Sequence, residues 1–123
     1  MMSVPSNLRY TASHEWIDDT SPAAVGITAH ATEQLGDLVY LSLPEVGDEV
    51  VAGGVFGEVE STKSVSELFA PASGKIAEVN AEAVDEPELV NADPYGAWLV
   101  KISVADVALL INAAEYEALA DQE

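Results

Sequence analysis

Glu58-Val59-Glu60-Ser61-Thr62-Lys63-Ser64-Val65-Ser66-Glu67-Leu68-Phe69 is the stretch that decides how this chain folds. Apolar and polar residues alternate into a small polar tip and out again, the pattern of two strands joined by a tight turn. At the tip stands Lys63, one of only four basic residues in the chain. By itself such a lysine keeps a hairpin soluble and discourages pairing at a sheet edge. Whether it does more depends on what lies to either side.

Upstream, Val55 to Ser61 forms the ascending arm, after a turn at Gly53-Gly54, a short strand at Val50-Val51 and a turn at Gly47-Asp48. Asp37 to Leu43, rich in branched and aromatic residues and ended by Pro44, predicts a strand. Before it, Thr28 has the chemistry of an N-cap and Gly36 that of a stop, so Ala29 to Leu35 reads as a helix of about two turns. Ala23 to Ile27 pairs back on Ser13 to Ile17 across the polar residues Asp18 to Pro22, and Leu8 to Tyr10 is a short first strand.

Downstream, Val65 to Ala70 descends, and Pro71-Ala72-Ser73-Gly74 reads as a turn into a strand over Lys75 to Asn80. Glu82 to Pro94 is acidic and irregular, with one helical turn at Pro87 to Val90 and a turn at Asp93-Pro94-Tyr95-Gly96. Trp98 to Val104 is the last clear strand. Val107, Leu110 and Ile111 are spaced to share a helical face. Asn112 with Glu115 fits a capping box opening a helix over Ala113 to Ala120, and Asp121 to Glu123 is expected to fray. A short echo, Gly47-Asp48-Glu49-Val50 against Gly74-Lys75-Ile76, suggests approximate two-fold symmetry about the Lys63 hairpin.

Eight or nine short strands with glycine and proline turns predict a mainly β fold. The expected form is a small β-sandwich, or flattened hybrid barrel, of two antiparallel sheets with short helices. One domain is expected over residues 1–123, with a core over about 8–104 and a C-terminal helical segment over about 105–121.

Composition narrows the chemistry. With 49% hydrophobic residues the chain can bury a core. The absence of cysteine removes disulfides, thiolate metal sites and cysteine nucleophiles, so any sulfur chemistry must come from something attached. The two histidines, His14 and His30, lack the spacing of a zinc pair. A net charge of −18 repels phosphate backbones and anionic membranes and favours partners with basic docking faces. The first residues carry neither a signal-peptide nor a transit-peptide pattern, so a cytoplasmic protein is expected.

No dinucleotide or phosphate-loop pattern is present. In Ser13-His14-Glu15, neighbours along a strand point to opposite faces and cannot form a relay, and His14 reads as a structural or surface residue. Trp16 and Trp98 read as core or core-edge residues. The chain is therefore read as a carrier or binding module rather than an enzyme.

The hairpin resembles the modification hairpin of lipoyl and biotinyl carrier domains. Biotinyl carriers place methionines around the lysine, whereas here the flanks are Thr62 and Ser64. Glu60-Ser61-Thr62-Lys63-Ser64 is similar to the glycine cleavage system H proteins. The match continues in Ser13-His14-Glu15-Trp16, Gly26-Ile27-Thr28, Glu33-Gln34-Leu35-Gly36-Asp37 and Leu43-Pro44-Glu45-Val46-Gly47-Asp48. Further along it runs through Phe56-Gly57-Glu58, Pro71-Ala72-Ser73-Gly74, Glu88-Leu89-Val90-Asn91, Asp93-Pro94-Tyr95-Gly96 and Trp98-Leu99-Val100-Lys101-Ile102. Three features depart from the family: Thr62-Lys63-Ser64 replaces the common Val-Lys-Ala, Ala97 stands where a glycine usually precedes the tryptophan, and the acidic excess is high. If position 97 needs a positive φ, alanine there costs about 1 kcal/mol.

The resemblance implies lipoate joined by an amide to Lys63, which removes the lysine's charge. It implies an aminomethyl group received from a pyridoxal-phosphate glycine decarboxylase and passed to a tetrahydrofolate-dependent aminomethyltransferase. Reoxidation would be by dihydrolipoyl dehydrogenase, and attachment by a lipoate ligase or a lipoyl or octanoyl transferase. Ser13, Glu15 and Glu67 are the residues it nominates to line a cleft sheltering the loaded arm. A monomer is expected. The alternatives are a lipoyl donor to other lipoate-dependent complexes, a biotinyl carrier, and an unmodified acidic sandwich. Intact mass separates these: a lipoyl and a biotinyl increment differ, and Lys63→Ala is expected to abolish any increment.

Overall fold

The computed structural model describes residues 4–107 and 110–122. Among the described residues nine strands form two antiparallel sheets. The larger contains β1 (Arg9–Tyr10), β2 (Glu15–Ile17), β3 (Ala23–Ile27), β9 (Val100–Val107), β8 (Ala72–Val79) and β5 (Glu49–Val50), in that order. The smaller is β4 (Leu38–Ser42), β6 (Val55–Ser61) and β7 (Val65–Phe69), with β6 central. Four short helices complete it: α1 (Ala29–Leu35), α2 (Ala81–Asp85), α3 (Glu88–Ala92) and α4 (Ala113–Ala120). The two sheets make an open sandwich rather than a closed barrel.

Alternation in the strands builds the core between the sheets. Ile17, Val25, Ile27, Ile76, Val100 and Ile102 of the large sheet meet Leu38, Leu41, Val59 and Leu68 of the small one. β3 is buried along its whole length, because its other face is also covered. There Tyr10, Trp16, Ala24, Tyr116 and Ala120 form a second cluster beneath α4. A strand buried on both faces reads as an unbroken apolar run, which is what Ala23 to Ile27 shows.

The central hairpin has the predicted shape. Glu60 pairs with Val65, Val59 with Ser66 and Glu58 with Glu67, each pair equidistant from the Thr62–Lys63 peptide. A bulge between Val55 and Gly57 shifts the register by one residue. Beyond it, in the other sheet, Glu49 pairs with Lys75 and Val50 with Gly74. The segments that echo each other in sequence therefore lie side by side, nested around the same hairpin.

Three expectations need correction. Ala72-Ser73-Gly74 is not a turn but the start of β8. Gly74 sits at a bulge, and a Cβ there would lie 2.0 Å from the Ser103 carbonyl oxygen, so glycine is needed for the close approach of β9. Residues 82–94 hold two short helices rather than a single turn. The C-terminal helical segment is shorter than 105–121: β9 continues through Val107, and Ile111 forms a bridge with Tyr10 instead of sharing a helical face with Val107. Leu110 packs against the main core, while residues 108 and 109 lie outside the described residues. The capping box closes as expected, Asn112 accepting from the Glu115 N–H while Glu115 accepts from the Asn112 N–H. His14 has the one positive φ (75°) among the described non-glycine residues, so Ala97 carries no strain of that kind.

The second cluster gives a direct test. A Cβ on Gly26 would lie 2.6 Å from the Trp16 ring, which is held by bonds from Nε1 to the Ile27 and Pro94 carbonyls. Gly26→Ala is expected to cost about 1–3 kcal/mol by overpacking. A urea midpoint equal to that of the parent chain would contradict this packing.

Candidate functional site

Lys63 is exposed at the tip, and the backbone that carries it is fixed. The Ser61 N–H donates to the Ser64 carbonyl at 2.8 Å and closes the turn. Ser61 Oγ accepts from the N–H groups of Lys63 (3.2 Å) and Ser64 (3.1 Å). The Thr62 N–H donates across to the Asp37 carbonyl at 3.1 Å, tying the tip to the loop between α1 and β4.

That loop is braced in turn. Asn91 of α3 donates through Nδ2 to the Gly36 carbonyl (2.9 Å) and accepts at Oδ1 from the Leu38 N–H (2.9 Å). Gly36 ends α1 at φ 85°, a conformation that favours glycine. It also gives room to the lysine stem: a Cβ there would stand 3.1 Å from Lys63 Cε. The lysine therefore projects from a turn anchored to two helices.

Beside the tip is an open cavity of about 290 Å³. Ser13 and His14 line one side, Ala31, Gln34 and Leu35 of α1 another, and Ser64, Val65 and Ser66 of the hairpin the third. Of the three residues nominated from sequence, Ser13 lines this cavity. Glu15 lies beneath it, 1% exposed. Its Oε1 accepts from Thr11 Oγ1 and Ser13 Oγ, each at 2.5 Å, and its Oε2 accepts from the Phe69 N–H of β7 at 3.2 Å. Glu67 is exposed on β7, opposite Glu58, and is not among the residues lining the cavity.

The strand expected over Ser13 to Ile17 begins only at Glu15: Ser13 and His14 lie in the turn before it, with His14 at a positive φ, so strand alternation does not govern this run. Ser13 and Glu15, two residues apart, bond each other, a pairing that the sequence argument against a relay passed over. His14 also borders the cavity, its Nδ1 2.7 Å from the Tyr116 hydroxyl and its ring 4.7 Å from that of His30. The sequence reading placed His14 on the structure or surface and missed its place in the cavity wall. It also missed α1 as a wall, although Leu35 and Ala31 follow from the helical spacing once α1 is set beside the hairpin. Among the described residues no cluster of histidine, aspartate or glutamate is arranged to hold a metal, and no helix is long and apolar enough to cross a membrane.

Burial pushes the Glu15 carboxyl above the usual glutamate range, although the four hydrogen bonds around it oppose the shift. A raised folded value means that the folded state binds the proton more tightly than the unfolded chain does. Its contribution to stability is present below the unfolded value, near 4.5, and is lost as pH rises through the folded one. The stability difference between the parent chain and Glu15→Gln should therefore fall as pH rises through that window. Urea midpoints measured for both proteins across it check the sign, and a constant difference would remove Glu15 as a perturbed group.

Comparison with known proteins agrees with this geometry. A family model described as glycine cleavage H-protein matches residues 8–123. The glycine cleavage system H protein of Beutenbergia cavernae is 52% identical over 124 residues, spanning 99% of this chain and all of that protein. That of Clavibacter sepedonicus is 52% identical over 120 residues, covering 96% of this chain and 98% of its own. The crystal structure of a glycine cleavage system H protein from Mycobacterium marinum superposes with a TM-score of 0.90 at 52% identity, covering 94% of this chain and 97% of the other. With a matching hairpin, sandwich and sequence over nearly its full length, the chain belongs to the glycine cleavage H-protein family.

Proposed function

We propose that this chain is the lipoyl-bearing carrier of the glycine cleavage system, with lipoate joined by an amide to Lys63. The observation that carries this reading is an exposed primary amine on a rigidly held tip beside a cavity with mixed polar and apolar walls. An attaching enzyme needs unobstructed access to the amine, and a swinging arm needs a fixed base. The residues present fit the group: Gly36 leaves space for the stem, and Ser64 to Ser66 lead from the attachment point into the cavity. When bound, the group supplies a disulfide that takes up a one-carbon unit and two electrons.

The protein's own part is to hold, orient and shelter. Ser13 would meet a cationic cargo amine with its hydroxyl, and the buried Glu15 beneath it would act on that amine through its bond to Ser13. Their network also joins β2 to β7, so the cavity floor is held by the same bonds that would orient the cargo. Glu67 would act from the outer face of β7, where it is free to meet solvent or a partner. Excluding water protects a hydrolysable cargo during transfer. The absence of cysteine leaves no internal thiol to exchange with the carried sulfur.

In this reading the chain works in the cytoplasm as a monomer and visits three enzymes in turn: the pyridoxal-phosphate decarboxylase, the aminomethyltransferase and dihydrolipoyl dehydrogenase. A lipoate ligase or a lipoyl or octanoyl transferase loads it. Its 22 acidic residues against four basic ones suit basic docking faces. Relay of the lipoyl group to other complexes uses the same lysine and stands as the second reading.

The deciding experiment is glycine–bicarbonate exchange by the purified decarboxylase with the lipoylated chain. Exchange that requires the lipoyl mass increment and disappears in Lys63→Ala is expected. An intact increment without exchange would favour the relay role. Glu15→Gln and Glu67→Gln, tested separately, are each expected to speed formaldehyde release from the loaded protein, and a parental rate would remove that residue from the shelter.

A further inference from the structure

We propose that Tyr116, on the C-terminal helix, is a positioning residue for the cavity beside Lys63. Its hydroxyl lies 2.7 Å from His14 Nδ1 and 2.7 Å from Thr28 Oγ1. These two partners belong to different walls of the cavity. His14 lines the first wall directly. Thr28 caps α1, its Oγ1 accepting from the Ala31 N–H at 3.2 Å, and Ala31, Gln34 and Leu35 of α1 line the second. A single buried hydroxyl thus joins the two walls at their base. A backbone bond from the Thr28 N–H to the His14 carbonyl, at 3.0 Å, runs alongside it.

The phenol is held by its own packing. Tyr116 is fully buried and stacks on Tyr10 with ring centroids 4.7 Å apart and planes 19° from parallel. The Tyr10 hydroxyl donates to the Pro5 carbonyl, and the Tyr10–Ile111 bridge ties the segment before α4 to β1. The hydroxyl therefore presents a fixed point to His14, a residue whose positive φ of 75° is unusual outside glycine. A hydrogen bond to the ring from a rigid neighbour sets which way the imidazole faces. The helix itself is far from the lysine in sequence and contributes no residue to the cavity wall. Tyr116 links it to that wall, through the hydroxyl and through an edge-on contact of its ring with His14, centroids 5.6 Å apart.

The consequence for the cargo rests on the carrier reading, whereas the coupling between Tyr116 and the cavity walls does not. Tyr116→Phe keeps the stacked ring and removes only the hydroxyl. In the unmodified chain it is expected to move the His14 ring nitrogen resonance in ¹⁵N spectra and to quicken amide exchange at Ala31, with the thermal transition still cooperative. In the lipoylated, loaded protein it should speed formaldehyde release about five-fold, the size expected for one lost hydrogen bond. His14→Gly, which accepts the same backbone conformation, should speed release similarly and serves if Tyr116→Phe does not fold. An unmoved His14 resonance, parental exchange at Ala31, or parental release from the loaded variant would each overturn the proposal. A preparation with no mass increment on Lys63 would instead fail the carrier reading, and the ring resonance and Ala31 exchange of the unmodified chain would then decide the coupling.

Discussion

The structure depends on one constraint: a tip that protrudes must not move. The bond from the Thr62 N–H to the Asp37 carbonyl meets it. The β4 strand flanks the ascending arm as far as Ser61, and this bond extends that support past the last strand pair into the turn itself. With it, the tip shares the rigidity of the α1–β4 loop, which Asn91 fastens to α3 at both Gly36 and Leu38. Flexibility is thus confined to the lysine stem and whatever it carries. Such a division suits a carrier, because the search volume of an arm is defined only when its base is fixed.

Glu15 carries a second burden. A carboxyl buried this deeply is costly unless its acceptors are satisfied. Thr11, Ser13 and Phe69 satisfy them from two directions, the loop before β2 and the backbone of β7. The small sheet is thereby bonded to the large one at the edge nearest the cavity. A methyl-rich residue of the same size would pack there, but it would leave the Phe69 N–H and the two hydroxyls without this acceptor. The polar choice fixes how the sheets meet.

Much of this was legible in the residues. Alternation located the hairpin, Thr28 and Gly36 bounded α1 at the residues observed, and the Asn112–Glu115 pair opened α4. What failed has physical reasons. Pro71 to Gly74 has turn composition, but Gly74 serves close approach between strands, a requirement that depends on a partner far along the chain. The turn expected at Pro87 to Val90 is the start of α3, whereas α2, at five residues, is too short for propensity or periodicity to register. Val107, Leu110 and Ile111 fit a helical spacing by coincidence, since strand pairing at β8 claims Val107 and the bridge to Tyr10 claims Ile111. The order of the large sheet joins β3 to β9, a pairing no local pattern encodes. The place of Lys63 at an exposed hairpin tip was legible, whereas the burial of Glu15 and the turned backbone of His14 arise only once the sheets meet.

The nested pairing around Thr62–Lys63 has a consequence for how the chain finds its fold. Closing the hairpin between β6 and β7 requires only a tight local loop, so its entropic cost is small. Once it is closed, Glu49 and Lys75 are no longer separated by the full length of free chain between them, and β5 meets β8 across a shortened effective loop. The same turn that exposes the lysine is then the point from which the middle of the molecule can zip together, so the tip bears on the order of assembly as well as on what it exposes.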